Sequence, residues 1–245
     1  MRLFIFDDYQ ALSRAGAALV AEVVAARPTA ALVLATGVTP MGLYQELAER
    51  RDRGAFDTSQ LRIFQLDEYL GLGPDDQRSL FLWMKRAVLA PWAITPANVA
   101  RLPGNSSEPQ VACRVYDRAI EAVGGFDLAV LGLGSNGHLG FNEPPADPTS
   151  RTHIVALTEA SVESNARYWG GRDQVPRQAL TVGLAWLLAA RHILLVVSGE
   201  HKRAILRRVV EGPVSPETPA SYLQKAANVT VIADKAAWGD ITQVT

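Results

Sequence analysis

The sequence contains almost no cysteine, and its charges nearly cancel. Cys113 is the only cysteine among 245 residues, which excludes an intrachain disulfide and a cysteine-based metal cluster and predicts a reducing, cytoplasmic location. We expect Cys113 to pack within a helix at residues 108–123. The chain has 24 Lys and Arg against 25 Asp and Glu, for a net charge of −1. This balance predicts neither a nucleic-acid partner nor a membrane partner.

Long apolar runs, internal repeats and linkers are also missing. The apolar stretch at residues 178–190 is too short to span a bilayer. The opening residues MRLFIFDDYQ contain two aspartates where a signal peptide would remain apolar. We therefore predict a single domain over residues 1–245, without a signal peptide.

Short apolar runs alternate with segments of helical spacing. The runs predict strands at residues 3–6, 30–35, 61–66, 126–131, 151–157, 192–197 and 229–233. The spacing predicts helices at residues 9–26, 41–51, 79–89, 108–123, 159–169, 179–189 and 202–210. This alternation predicts a single-domain Rossmann-like α/β fold, with a mainly parallel sheet and helices on both faces.

The loop GLGSNGHLGFNEP at residues 132–144 follows one predicted strand. Its glycines spell GxGxxG, but the prolines that follow forbid the helix that a dinucleotide site needs at its last glycine. The loop carries Asn136, His138, Asn142 and Glu143 at a strand's carboxyl end, where open α/β sheets bind ligands. On these residues alone, an acid/base site and a hydrogen-bonded structural loop are equally supported.

A glycine turn follows the strand at residues 30–35. It reads Thr36, Gly37, Val38, Thr39 and Pro40, and we expect Thr39 to cap a helix that begins at Pro40. Backbone N–H groups at such a turn can bind an anion. On this segment alone, an ordinary strand-to-helix turn is the favoured interpretation.

Charged residues follow two other predicted strands. Asp67 and Glu68 are adjacent, so their side chains point to opposite faces and at most one faces a pocket. On this segment alone, an acidic surface turn is the favoured interpretation. Lys202 lies in the first turn of a helix, where a cation opposes the helix dipole unless an anionic ligand is bound.

Taken in order, these segments resemble the glucosamine-6-phosphate deaminase family, which forms a wider group with the 6-phosphogluconolactonases. The similar pieces span nearly the whole chain, and LDEY and NGHLGFNEP are the most specific. The pieces are FIFDDYQALSRAGA, LATGVTPMGLYQEL, QLDEYLGL, GLGSNGHLGFNEP, SRTHIVALT, SNARYW, VPRQALTVGLAWLL, SGEHKRAI and PASYLQ.

The resemblance implies conversion of glucosamine 6-phosphate and water to fructose 6-phosphate and ammonia, without metal or organic cofactor. It implies that Asp67, rather than Glu68, moves the proton between C2 and C1. His138 would carry the proton in ring opening, with the assistance of Asn136 and Glu143. The residues implied for phosphate binding are Thr36, Gly37, Val38, Thr39, Arg167 and Lys202.

Two features depart from the family pattern. Many members have Asp in place of Asn136, and an amide can orient His138 but cannot ionise. The allosteric hexameric members have basic residues in place of His153 and Val155, and a C-terminus that extends beyond the equivalent of Thr245. We therefore predict a monomer or small homo-oligomer that N-acetylglucosamine 6-phosphate does not activate.

Three other functions remain open from the sequence. A 6-phosphogluconolactonase has no use for a base over C2, so LDEY and FNEP favour the deaminase. A deaminase for galactosamine 6-phosphate differs only in C4 stereochemistry, which the sequence does not resolve. A sugar-phosphate sensor needs a DNA-binding module, and the family resemblance begins at residue 3; the presence of Asp67, His138 and Glu143 also disfavours it.

Overall fold

The computed structural model describes residues 1–239, and its main sheet has seven parallel strands. This confirms the predicted mainly parallel α/β fold. All four residues of the strand Ala31–Leu34 are buried, which explains its unbroken apolar sequence. In spatial order the strands are β1 (Arg2–Phe6), β10 (Val229–Asp234), β9 (His192–Val197), β6 (Leu128–Gly132), β2 (Ala31–Leu34), β3 (Arg62–Gln65) and β5 (Val99–Ala100).

Helices cover both faces of this sheet. Leu32 and Leu34 pack into a core with Leu12 and Leu43 on one face, while Val33 packs into a second core on the other. The alternation follows from the twofold periodicity of a strand. The helices are α1 (Tyr9–Ala26), α2 (Met41–Asp52), α3 (Leu80–Met84, continued by a π-helical turn at Lys85–Leu89), α4 (Pro109–Ala122), α5 (Glu159–Trp169), α6 (Leu184–Leu188), α7 (Arg203–Glu211) and α8 (Lys235–Trp238).

A second, antiparallel sheet was not predicted from the sequence. Its strands are β4 (Asp67–Tyr69), β8 (Gln178–Thr181) and β7 (His153–Ala156), with β8 in the middle. The helix predicted at residues 179–189 is therefore wrong over its first part, because the backbone of β8 pairs on both sides. Gly183 separates strand from helix, and a Cβ there would lie 2.1 Å from the carbonyl oxygen of Ser150.

The small sheet stands at the carboxyl edge of the large one. Only Leu66 separates β3 from β4, and its carbonyl accepts a hydrogen bond of 2.9 Å from the N–H of Val182. Cys113 is buried in α4, which confirms its packing role. Within residues 1–239, no helix combines the length and the hydropathy that crossing a bilayer requires.

Candidate active site

A cleft of about 950 Å³ opens at the carboxyl edge of the parallel sheet. Segments that follow β2, β3, β6 and β9 form its floor, and α5 forms part of one wall. Crevices at this edge are where open α/β sheets bind ligands. Of the residues predicted for a site, Asp67, His138, Thr36, Gly37, Val38, Thr39, Arg167 and Lys202 all line this cleft.

Asp67 brings a buried carboxyl group to the cleft. Its residue surface is 6% exposed, and Oδ1 has no hydrogen-bond partner among the described residues. Burial raises the pKa of Asp67 to about 7, and the neighbouring charge of Glu68 adds to the shift. A carboxyl with a pKa near neutrality is suited to accept and return a proton at physiological pH.

Glu68 faces the other way and holds α3 in place. Its carboxylate accepts five hydrogen bonds of 2.7–3.1 Å, and it lies at the start of α3, where backbone N–H groups are unpaired. The interpretation as an acidic surface turn is wrong, because both carboxyl groups are buried. The five donors are Gln65 Nε2, Ser79 Oγ and the backbone N–H groups of Tyr69, Leu80 and Phe81.

The central loop gathers His138, Glu143 and Asn136 into one cluster. His138 Nδ1 lies 3.4 Å from Glu143 Oε2, and Asn136 Nδ2 donates a 2.8 Å hydrogen bond to the same oxygen. Asn136 Oδ1 accepts a bond of 3.1 Å from the backbone N–H of His138. A Cβ on Gly134 would lie 2.2 Å from the His138 ring, so only glycine leaves room for the imidazole.

Glu143 is a carboxylate in this cluster. Burial acts to raise its pKa, but hydrogen bonds and charge from His138, with further hydrogen bonds from Ser161 and Asn136, outweigh burial and lower the pKa of Glu143 to about 2. Glu143 Oε1 is buried and has no partner among the described residues. Asn142, by contrast, is structural, because its amide donates to the carbonyls of Leu139 and Val182.

Two cations at the cleft have unmatched charge. Lys202 Nζ donates a hydrogen bond of 2.6 Å to the carbonyl oxygen of Leu133. No carboxylate among residues 1–239 lies within 4 Å of the charged groups of Lys202 or Arg167. Burial lowers the pKa of Lys202, and the nearby charge of Arg167 lowers it further. Adjacent cations without counter-ions form a site suited to a phosphate dianion.

The turn after β2 is held differently from the predicted arrangement. Thr39 is not the N-cap: α2 begins at Met41, and Pro40 is the cap residue, whose carbonyl accepts from Tyr44. Tyr9 holds the turn instead, because its hydroxyl donates to the carbonyl of Val38 at 3.0 Å and accepts from the N–H of Gly42 at 2.8 Å. Gly37 has φ of +98°, a conformation that favours glycine.

Three side chains that support the site were not predicted from the sequence. Tyr9 holds the turn after β2. Thr158 donates a hydrogen bond of 3.0 Å to Glu143, and Ser161 Oγ lies 3.3 Å from His138 Nδ1. Thr158 had a local signal, because it precedes Glu159 at a helix start, as N-cap residues do. Its contact with Glu143 is tertiary and leaves no local signal.

The fold and the cleft define an α/β enzyme with acid/base groups and two cations without counter-ions among residues 1–239 at the carboxyl edge of its sheet. The chain belongs to the family described as glucosamine-6-phosphate isomerases/6-phosphogluconolactonase, whose profile matches residues 7–232.

Curated relatives are similar to the chain over nearly its full length. It is 42% identical over 237 residues to a glucosamine-6-phosphate deaminase of Halothermothrix orenii, covering 97% of this chain and 98% of that one. It is 39% identical over 236 residues to glucosamine-6-phosphate deaminase 2 of Bacillus subtilis, covering 96% and 95%.

Solved structures agree with this membership. A monomeric glucosamine-6-phosphate deaminase has a TM-score of 0.94 and 36% identity, with 97% of this chain and 98% of that chain covered. A 6-phosphogluconolactonase from Trypanosoma brucei has a TM-score of 0.78 at 18% identity, with 96% and 97% covered. The second likeness concerns the fold alone.

Proposed function

We propose that the chain converts glucosamine 6-phosphate and water into fructose 6-phosphate and ammonia. The observation that carries this proposal is the buried, unpartnered Asp67, which lines the same cleft as His138 and the unmatched cations Arg167 and Lys202. Curated deaminases at 37–42% identity over nearly the whole chain support it. The distant 6-phosphogluconolactonases share the fold at much lower identity.

Ring opening is assigned to His138. Its imidazole takes the proton from the C1 hydroxyl and delivers one to the ring oxygen, so that the C1–O5 bond breaks and the open-chain aldehyde forms. The Glu143 carboxylate stabilises the protonated imidazole from 3.4 Å. Asn136 keeps that carboxylate in place through its 2.8 Å hydrogen bond, which requires no ionisation of position 136.

Isomerisation and deamination are assigned to Asp67. Its carboxylate removes the C2 proton while the C1 oxygen gains a proton, which gives an enolamine. The carboxyl then returns the proton at C1 while the amine loses one, which leaves an imine at C2. Water adds to C2 and ammonia leaves, giving the ketone. With a pKa of about 7, the Asp67 carboxyl can both accept and return the proton near neutrality.

Phosphate binding fixes the pose of the sugar. Thr36, Gly37, Val38 and Thr39 form a turn at the start of α2, and Arg167 and Lys202 supply the charge. Binding energy from this remote group orients the reacting carbons over Asp67.

We also propose that residues 1–245 form one domain that acts as a monomer or small homo-oligomer in the cytoplasm, without activation by N-acetylglucosamine 6-phosphate. The monomeric solved relative supports the first part, the free thiol of Cys113 supports the location, and His153 and Val155 in β7 support the last. Residues 240–245 lie outside the described part. A sigmoidal substrate curve that N-acetylglucosamine 6-phosphate makes hyperbolic would contradict this proposal.

The test is ammonia release coupled to fructose 6-phosphate formation from glucosamine 6-phosphate. Galactosamine 6-phosphate is run in parallel and followed by ammonia release alone. 6-Phosphogluconolactone is followed by the acid that lactone hydrolysis releases, because neither compound yields fructose 6-phosphate. We expect kcat/KM for glucosamine 6-phosphate to be at least about tenfold higher than kcat/KM for galactosamine 6-phosphate. A ratio of this size corresponds to about the free energy of one hydrogen bond in a binding site. Tight binding of glucosamine 6-phosphate without ammonia release would point to a sensor instead.

A further inference from the structure

We propose that the Thr158 hydroxyl is a positioning group that ties helix α5, and with it Arg167, to the His138–Glu143 pair. The inference deepens the proposed function, on which it rests, by linking phosphate binding to the geometry of the ring-opening residues. Thr158 itself touches no reacting atom in this scheme and acts through Glu143.

The hydroxyl of Thr158 has three hydrogen-bond partners, two in the central loop and one in α5. It donates to Glu143 Oε2 at 3.0 Å, and it accepts from the backbone N–H of Ser161 at 3.3 Å as the N-cap of α5. It also accepts from Asn136 Nδ2 at 3.3 Å. One donor and two acceptor positions are all that a hydroxyl offers, so this side chain is fully used.

Ser161 extends the connection to the imidazole. Its Oγ lies 3.3 Å from both Thr158 Oγ1 and His138 Nδ1, and the residue is fully buried in the first turn of α5. Since Glu143 is a carboxylate, the positive end of the α5 dipole also favours its charge at this position. The start of α5 is therefore part of the acid/base cluster.

The other end of α5 faces the phosphate site. Arg167 lies nine residues after Thr158, which at 1.5 Å per residue is about 13 Å along the helix. A helix of 11 residues moves as a body, so a shift of its first turn also shifts Arg167. A bound phosphate that holds Arg167 thereby holds Thr158 against Glu143, and a misplacement of about 1 Å at such a site costs on the order of 10²-fold in rate.

The first experiment compares Thr158→Val, Thr158→Ser and Thr58→Val. Valine keeps the shape of threonine without the hydroxyl, and serine keeps the hydroxyl. Thr58 is the matched control, because its buried hydroxyl donates 2.6 Å to the carbonyl of Trp92, away from the cleft. We expect Thr158→Val to lower kcat about 10- to 100-fold, Thr158→Ser to restore it within about threefold, and Thr58→Val to change only stability. Equal kcat in the two valine variants would overturn the proposal.

The second experiment is a double-mutant cycle between Thr158→Val and Arg167→Met, read in kcat/KM. If α5 links the two sites, the two losses are not independent, and we expect the double variant to lose at least about fivefold less than the product of the single losses. Additive losses, within about twofold, would show that Thr158 and Arg167 act separately and would contradict the link.

The third measurement needs no substrate. The Nδ1 resonance of His138, assigned in ¹⁵N-histidine-labelled protein by comparison with His138→Gln, should move in Thr158→Val and stay in place in Thr158→Ser and Thr58→Val. An unchanged resonance in Thr158→Val overturns the positioning role. A moved resonance in a protein that releases no ammonia supports that role and overturns the proposed reaction instead.

Discussion

Two buried aspartates at opposite ends of the parallel sheet have opposite surroundings. Asp127 lies just before β6 and accepts a hydrogen bond of 2.9 Å from the N–H of Ala31. It also forms salt bridges with Arg27 at 3.1 Å and Arg191 at 3.2 Å. Asp67, just after β3, has an unpartnered Oδ1 and a glutamate as its neighbour. Both are almost fully buried. At the amino edge of the sheet, the charge of Asp127 is compensated by two arginines. At the carboxyl edge, Asp67 has no such partner among the described residues and is available to a ligand.

The cations show the same difference. Arg27 and Arg191 at the amino edge share one carboxylate oxygen, whereas Lys202 at the carboxyl edge has only a carbonyl oxygen as partner among the described residues. Lys202 is half-buried and Asp67 is buried. A charge that is removed from water without a partner lowers stability, so such groups mark functional sites more often than structural ones. Substitutions at the two edges should therefore have different effects.

The largest effect is expected from Asp67→Asn. Removing the base should lower kcat by about 10²- to 10⁴-fold, measured as ammonia release. Asp127→Asn is the matched control, and we expect it to keep kcat per folded molecule while lowering the free energy of unfolding by about 1–3 kcal/mol in urea titrations. Loss of kcat in Glu68→Gln but not in Asp67→Asn would transfer the role to Glu68.

A smaller effect is expected from Lys202→Met. The loss of one charged contact to phosphate should raise KM about 10- to 100-fold while kcat changes by less. Arg191→Met at the amino edge removes a cation from the same molecule and should leave KM unchanged. An unchanged kcat/KM in Lys202→Met would contradict a phosphate-binding role.

The pH dependence of stability distinguishes the two aspartates further. The folded state raises the pKa of Asp67 from 3.8 to about 7, so between these values the native protein binds more protons than the unfolded chain. Stability therefore falls as pH rises through this window, and the penalty is complete above pH 7. Asp67→Asn removes the penalty, and we expect it to be more stable than the parent at pH 8, on the order of 4 kcal/mol, but not at pH 4.

Urea titrations of both proteins at pH 4, 6 and 8 measure this difference. Asp127→Asn provides the comparison, because its loss of two ion pairs should destabilise the protein at pH 8. A gain for Asp67→Asn that is constant across pH would show that burial does not disfavour the ionised carboxyl.

The smallest effect is expected from Tyr9→Phe. The phenylalanine loses the hydroxyl that bridges Val38 and Gly42, and one neutral hydrogen bond contributes about 1 kcal/mol. We expect KM to rise about fivefold with kcat unchanged. An equal loss in kcat would mean that Tyr9 acts beyond the turn.

The fold was predictable because strands and strand ends have local signals. The buried strands appear as apolar runs, and the carboxyl edge places Asp67, His138 and Lys202 in one cleft once the strands are known. The strand β8 was not predictable in this way, since a short apolar run fits a helix and a strand equally well. Only pairing with β4 and β7 decides between them.

The contacts that support the site could not be predicted from local sequence patterns. Opposite facing of Asp67 and Glu68 follows from strand geometry, but the five donors to Glu68 come from the α3 region, strand β4 and Gln65. The family resemblance supplied the roles of Asp67 and His138, and these roles stay predictions until the variants are measured. Thr158 and Tyr9 contact residues 15 and 29 positions away, where sequence periodicity gives no information.

The central strand of the small sheet has a consequence for enzyme redesign. Thr181 of β8 pairs with Asp67 on one side and His153 on the other, and its hydroxyl accepts from the N–H of Phe141 in the central loop. Thr181 thus sets the spacing between Asp67 and the central loop that carries the ring-opening residues. Grafting the loop at residues 132–144 onto another scaffold would not carry that spacing with it. The smallest portable unit is the loop together with β4, β8 and the start of α5, which carries Thr158 and Ser161.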